Sequence, residues 1–125
     1  MRDNGAAVFD LDVTTSQGEL NARIGEALKI YGGIDVLVNC AGYIEAGIIE
    51  ELSHERFVSQ FNTNLFGVIN VTRAILPHFR DKKSGNILFL GSSGGIEGEP
   101  GAGGYCATKF ALEGKLLLLY NKFIY

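Results

Sequence analysis

An α/β domain with a parallel sheet, about three strands and three helices, is the fold class the sequence predicts. Three short apolar runs each precede a segment of helical periodicity, and no linker, internal repeat or low-complexity stretch interrupts that alternation. The 125 residues carry a formal net charge of −3 and are 46% hydrophobic, a composition suited to one soluble domain with an ordinary core.

The first run is "AAVFDLDV", Ala6 to Val13, expected as a strand. In "SQGELNARIGEALKIYGG", Ser16 and Glu19 have the spacing of a capping box. Leu20, Ile24, Ala27, Leu28 and Tyr31 then recur at helical spacing, and Gly32-Gly33 ends the helix. "IDVLVNCAG" is nearly continuous in apolar residues, as a parallel strand covered on both faces requires. A second helix is expected from Ser53, with Leu52 and Phe57 placed as a hydrophobic staple. It runs through Phe61, Leu65, Val68, Thr72 and Ile75 to about Arg80, with Pro77 expected to disturb its last turn. "NILFLGS" is the third run, and the third helix starts near Gly104.

Several function classes are excluded at this stage. Basic residues are scattered, and "RDKK", Arg80 to Lys83, suits the end of a helix, where cations complement the dipole. Neither nucleic acid nor an anionic membrane is an expected partner. Cys40 and Cys106 lack CxxC spacing and a nearby histidine, so no metal site is expected and both read as small packing residues of a reducing compartment. "MRDNGAAVFD" has no signal-peptide core and "KLLLLYNKFIY" is too short and charged to span a bilayer, so a cytoplasmic location is expected.

Ligands of parallel sheets bind beyond the carboxyl ends of the strands, which gathers Asp12, Asn39 to Gly42 and Ser92 at one edge. Tyr105 and Lys109 stand four residues apart, on one face of the third helix. A phenol of ordinary pKa about 10 is a poor acid–base group at neutral pH. An ammonium roughly 4 Å away, at an effective dielectric near 20, supplies about 4 kcal/mol toward ionising it. Ser92 could then hydrogen-bond a reacting oxygen. Gly91 to Gly95 also satisfies the G-x-S-x-G of a hydrolase nucleophile elbow. That fold needs a histidine later in the chain, and His54 and His78 both precede the serine.

Taken together, "DLDVT", "NCAG", "FNTNLFG", "GSSGG" and "YCATK" occur in an order and spacing that resemble the short-chain dehydrogenase/reductase family, from about Val8 to Gly114. The resemblance implies a Rossmann-like doubly wound sheet and an NAD(P)-dependent oxidoreductase interconverting an alcohol and a ketone or aldehyde. It selects Ser92, thirteen positions before Tyr105, as the carbonyl orienter. Tyr105 would be the acid–base residue, and Lys109 would lower its pKa and hold the nicotinamide ribose. Asn64 would support a water-mediated proton relay. Asp12 would lie near the adenine, with Val13 beside it. Asn39, Ala41 and Gly42 would line the cofactor in a turn where Cys40 replaces the family's second asparagine. The glycine run before Tyr105 would lie on the substrate side.

The family's opening strand with its Thr-Gly-x-x-x-Gly-x-Gly turn has no counterpart here, and no G-x-G-x-x-G occurs elsewhere. That turn brings backbone to the pyrophosphate at a helix amino terminus. After "FALEG" the sequence departs from the family pattern. Residues 1–125 are therefore expected to form a single partial NAD(P)-binding domain, truncated at both ends, with NAD against NADP left open. The alternative expectation is a catalytically inactive fragment that either misfolds or pairs with full-length subunits through the helices beginning at Ser53 and near Gly104, which the resemblance implies form the family's dimer interface and make a homo-oligomer the implied assembly.

Overall fold

The structure, a computed structural model, describes residues 5–120, with side chains through residue 114. Helix α1 is Gln17–Ile30, strand β1 Val36–Asn39, α2 His54–Phe61, α3 Val68–Lys82, β2 Asn86–Phe89 and α4 Gly103–Tyr120. Between α2 and α3 the helix widens into a π turn, Asn62–Gly67, and a 3₁₀ turn, Ser93–Gly95, precedes α4. The expected departure after "FALEG" falls on the end of α4 and on residues 121–125, outside the described side chains.

Helix starts follow the capping chemistry. Ser16 accepts from the Glu19 N–H at 3.2 Å, and Ser53 from the Arg56 N–H at 3.3 Å. Only half of the expected capping box forms, because the Glu19 carboxylate takes the Thr15 hydroxyl instead. Of the predicted α1 stripe, Leu20 and Ile24 are buried, while Tyr31 turns outward and donates to the Gly5 carbonyl. Pro77 does not disturb α3, which continues to Lys82 and ends with Arg80 and Lys82 in its last turn.

β1 and β2 are parallel, with Val36 opposite Asn86 and Asn39 opposite Phe89. Leu20, Ile24, Val71, Ile75 and Phe79 form the core between α1, α3 and the sheet, with Leu37 and Ile87 packed against them. Complete burial of such side chains contributes about 1.5–3 kcal/mol each.

Two expectations are corrected. Ala6 to Val13 is not a strand, so the described sheet has two strands rather than three. Among the described residues no strand pairs with it, and Arg23 donates to the Asp10 carbonyl at 3.2 and 2.6 Å and stacks over Phe9 at 4.2 Å. Nor is β1 covered on both faces. Val36 and Val38 of β1 and Leu88 of β2 are 46, 53 and 55% exposed, whereas Leu37 and Ile87 face the core. Among the described residues the helices shield only one side.

Candidate active site

The site is assembled where β2 ends. Leu90 continues the ladder past the strand, its N–H donating to the Asn39 carbonyl at 3.0 Å. The Leu90 carbonyl accepts from the Lys109 ammonium at 2.6 Å. Lys109 is therefore tied to the sheet edge where both strands stop.

Ser92 follows in extended backbone and opens the 3₁₀ turn, its hydroxyl oxygen accepting from the Gly94 N–H at 3.2 Å. The hydroxyl hydrogen has no partner among the described residues. Gly94 and Gly95 let this turn lie directly on α4. A Cβ at Gly94 would stand 3.3 Å from both Cys106 Sγ and Tyr105 Cε1, and one at Gly95 would stand 3.3 Å from Lys109. Tighter spacing than ordinary contact leaves little room for any side chain, so the glycine pair is what brings Ser92 beside Tyr105 and Lys109.

Tyr105 is half-buried, and the Lys109 ammonium lies 5.7 Å from its ring centroid, within cation–π range. Lys109 is only 7% exposed, and among the described residues no carboxylate lies within ion-pair distance of it. An ammonium has three donors and one is used on Leu90. A buried charge with two unspent donors is suited to a ligand rich in hydroxyl groups.

Asn64 sits inside the π turn and is 1% exposed. Its Oδ1 accepts from the Tyr43 N–H at 3.0 Å, and its Nδ2 donates to the Tyr43 carbonyl at 2.8 Å and to Thr108 Oγ1 at 3.2 Å. Its amide is thus engaged by protein on all three sides. Gly42 lies against the same amide, where a Cβ would meet Oδ1 at 3.1 Å. A π turn within a long helix is often a functional feature, and here it turns one polar side chain toward both β1's loop and α4.

The other predicted residues are spread more widely. Asn39 is 8% exposed and points inward, donating to Thr72 Oγ1 at 3.3 Å, so it joins sheet to helix. Ala41 and Gly42 are exposed on the loop after β1. Val13 packs on the far end of the π turn, where a Cβ on Gly67 would stand 2.7 Å from its Cγ2. Asp12 is exposed and accepts from the Thr14 N–H and hydroxyl, at 2.8 and 2.7 Å, which hold its carboxyl below the ordinary carboxylate value. Ser92, Tyr105 and Lys109 therefore meet around the Gly94-Gly95 turn, Asn64 is joined to α4 through Thr108, and Val13 lies against the other end of the π turn.

Some expectations about neighbours also change. Cys106 is buried as expected of a packing residue, but Cys40 is exposed. His78 is engaged with the Ile34 backbone at 3.1 Å. Among the described residues no cluster of metal-binding side chains occurs, and no helix is long and apolar enough to cross a membrane.

Gln60 and Thr108 carry contacts that motif reading did not single out. Gln60, fully buried, donates to the Tyr43 carbonyl at 3.2 Å, while its Oε1 has no partner. An orphan buried acceptor costs about 1–3 kcal/mol. Flipping the amide would set oxygen against the Tyr43 oxygen, so the orphan follows from that carbonyl's need for a donor. The available signal was Gln60 and Asn64 at i, i+4 beside the apolar stripe of one helix.

The short chain dehydrogenase family model matches residues 2–121. The chain is 42% identical over 104 residues to the uncharacterized oxidoreductase YusZ of Bacillus subtilis, covering 83% of this chain and 36% of that protein. It is 40% identical to a 3-ketodihydrosphingosine reductase of Bacteroides thetaiotaomicron, covering 83% of this chain and 38% of the relative. Among solved structures, ElxO with NADP bound superposes with a TM-score of 0.83 at 31% identity, over 90% of this chain and 45% of that one. The chain spans less than half the length of these three relatives. It belongs to the short chain dehydrogenase family.

Proposed function

We propose that this member of the short chain dehydrogenase family carries the acid–base half of an NAD(P)-dependent oxidoreductase that interconverts an alcohol and a ketone or aldehyde. The observation that carries this reading is the convergence of Ser92, Tyr105 and Lys109 on the Gly94-Gly95 turn. When bound, a nicotinamide supplies the hydride. The chain's own part is the proton and the orientation of the oxygen.

In the direction of reduction, Ser92 donates its free hydroxyl hydrogen to the carbonyl oxygen and fixes its position. The Tyr105 hydroxyl delivers a proton to that oxygen as the alcohol forms, with the Lys109 ammonium lying 5.7 Å from its ring centroid. Lys109, with two donors unspent, is the residue fitted to hold ribose hydroxyls, and the exposed loop at Ala41 and Gly42 offers backbone alongside. The side-chain amide of Asn64 is occupied, so its support of a water-mediated relay would run through its backbone. The NADP named for ElxO supports a nicotinamide cofactor, and the 3-ketodihydrosphingosine reductase supports a carbonyl substrate.

The test is a titration of the folded chain with NADH and NADPH by nicotinamide fluorescence, with Lys109→Ala as control. Saturable binding that weakens at least tenfold in the variant is the expected result. Equal binding by parent and variant would remove Lys109 from the cofactor site. A second reading, pairing without catalysis, is favoured by Val58, Phe66 and Phe110, which are 38, 50 and 48% exposed on the long helix and α4. Sedimentation velocity of Phe66→Glu against the parent would separate it, since only an interface loses assembly on that change.

A further inference from the structure

A run of directed hydrogen bonds joins Tyr105 to the loop after β1, and its direction can be read bond by bond. The Thr108 hydroxyl donates to the Tyr105 carbonyl at 2.7 Å, which spends its only hydrogen. Thr108 Oγ1 can therefore only accept from Asn64, whose Nδ2 lies 3.2 Å away. That fixes the Asn64 amide: both hydrogens go to acceptors, on Thr108 and the Tyr43 carbonyl, and Oδ1 is left for the Tyr43 N–H. Gln60 adds a second donor to the Tyr43 carbonyl. Gln60, Asn64 and Thr108 are 0, 1 and 0% exposed, so water does not compete for these bonds.

We propose that Thr108 is a positioning residue: acting through Asn64, it locks the first turn of α4, with Tyr105 on it, to the Tyr43 peptide at the mouth of β1. The inference rests on the reading of Tyr105 as the acid–base group. Its physical content is a coupling between two segments far apart in sequence, residues 43 and 105. Loss of one hydroxyl loosens the Tyr43 peptide, although Thr108 does not touch it.

The experiment is amide hydrogen exchange by NMR on the ¹⁵N-labelled chain, comparing parent, Thr108→Ser and Thr108→Val. The Tyr43 amide should exchange at the parent rate in Thr108→Ser and at least tenfold faster in Thr108→Val, with Ile75 unchanged. Equal Tyr43 protection in all three would overturn the proposal. Acceleration of Ile75 along with Tyr43 in Thr108→Val calls for Thr108→Ala, which removes the same hydroxyl with less bulk. The same global acceleration there would also overturn it, since it would mark Thr108 as packing alone. Turnover of a test ketone with NADPH adds an independent arm, in which Thr108→Val lowers kcat at least tenfold with KM for NADPH unchanged. A folded parent that binds NADPH but turns nothing over would sink the acid–base reading of Tyr105, while the exchange result still decides the linkage.

Discussion

Between α1, α3 and the inner face of the sheet, Leu20, Ile24, Val71, Ile75 and Phe79 exclude water with hydrocarbon alone. Beside α4, Gln60, Asn64 and Thr108 are just as buried, but Asn64 hydrogen-bonds Thr108 and both Gln60 and Asn64 donate to the Tyr43 carbonyl. Hydrocarbon contacts are many and non-directional, so they stabilise while tolerating changes that conserve volume. Hydrogen bonds add less net stability but fix atoms within a narrow range of distance and angle. In this chain the first material holds the scaffold together, and the second lies next to the residues assigned to chemistry.

The comparison breaks most visibly at Ile75, which is fully buried among aliphatic neighbours. Ile75→Ala should cost about 2–5 kcal/mol, read as a fall in the urea midpoint. A loss near zero would mean that this core is loosely packed.

A middle-sized effect is expected where α4 crosses α2. A Cβ on Gly104 would stand 2.9 Å from Gln60 Oε1 and 3.1 Å from Phe57 Cε2. Gly104→Ala should cost about 1–3 kcal/mol through overpacking. Combining it with Gln60→Ala should recover part of that loss, and strict additivity in a urea double-mutant cycle would show that the two side chains do not press on each other.

The smallest effect belongs to the surface. Lys82 beside Asp35, by hydrogen bond and charge, holds the exposed carboxyl below its ordinary value of 3.8. The folded value being the lower one, the contribution is complete above the unfolded value and fades as pH falls through the folded one. Asp35→Asn should therefore shift the thermal midpoint slightly at neutral pH and not at all in strong acid, with added salt shrinking the difference. A gap that persisted in acid would point to something other than the ion pair.

What the sequence made legible follows the range of the forces involved. Ser16 and Ser53 announce their helices because a cap acts over three residues, and β1, β2 and the start of α4 lie where periodicity and glycines placed them. Ala6 to Val13 has the apolar pattern of a strand, but a strand also needs a ladder partner, and Arg23 takes its backbone acceptor instead. Tyr105, Lys109, Ser92 and Asn64 were legible as a motif. The inward turn of Asn39 and the roles of Gln60 and Thr108 were not, because each depends on a hydrogen-bond partner more than ten residues away.

The π turn has one more consequence, which concerns deletions rather than substitutions. Widening from i→i+4 to i→i+5 accommodates one residue more than a regular helix would. Removing a residue such as Asn62, exposed and without a role in the bonds described, would let an ordinary α-helix run through. The helix beyond it would keep its phase relative to α2, because the wide turn had already absorbed the extra residue, and only the bulge itself would be lost. Ile75 would stay in the core, and the change would fall on Asn64, whose aim at Tyr43 and Thr108 depends on the wide turn. A one-residue deletion within residues 62–67 should therefore leave the scaffold standing while releasing Asn64 from Tyr43 and Thr108.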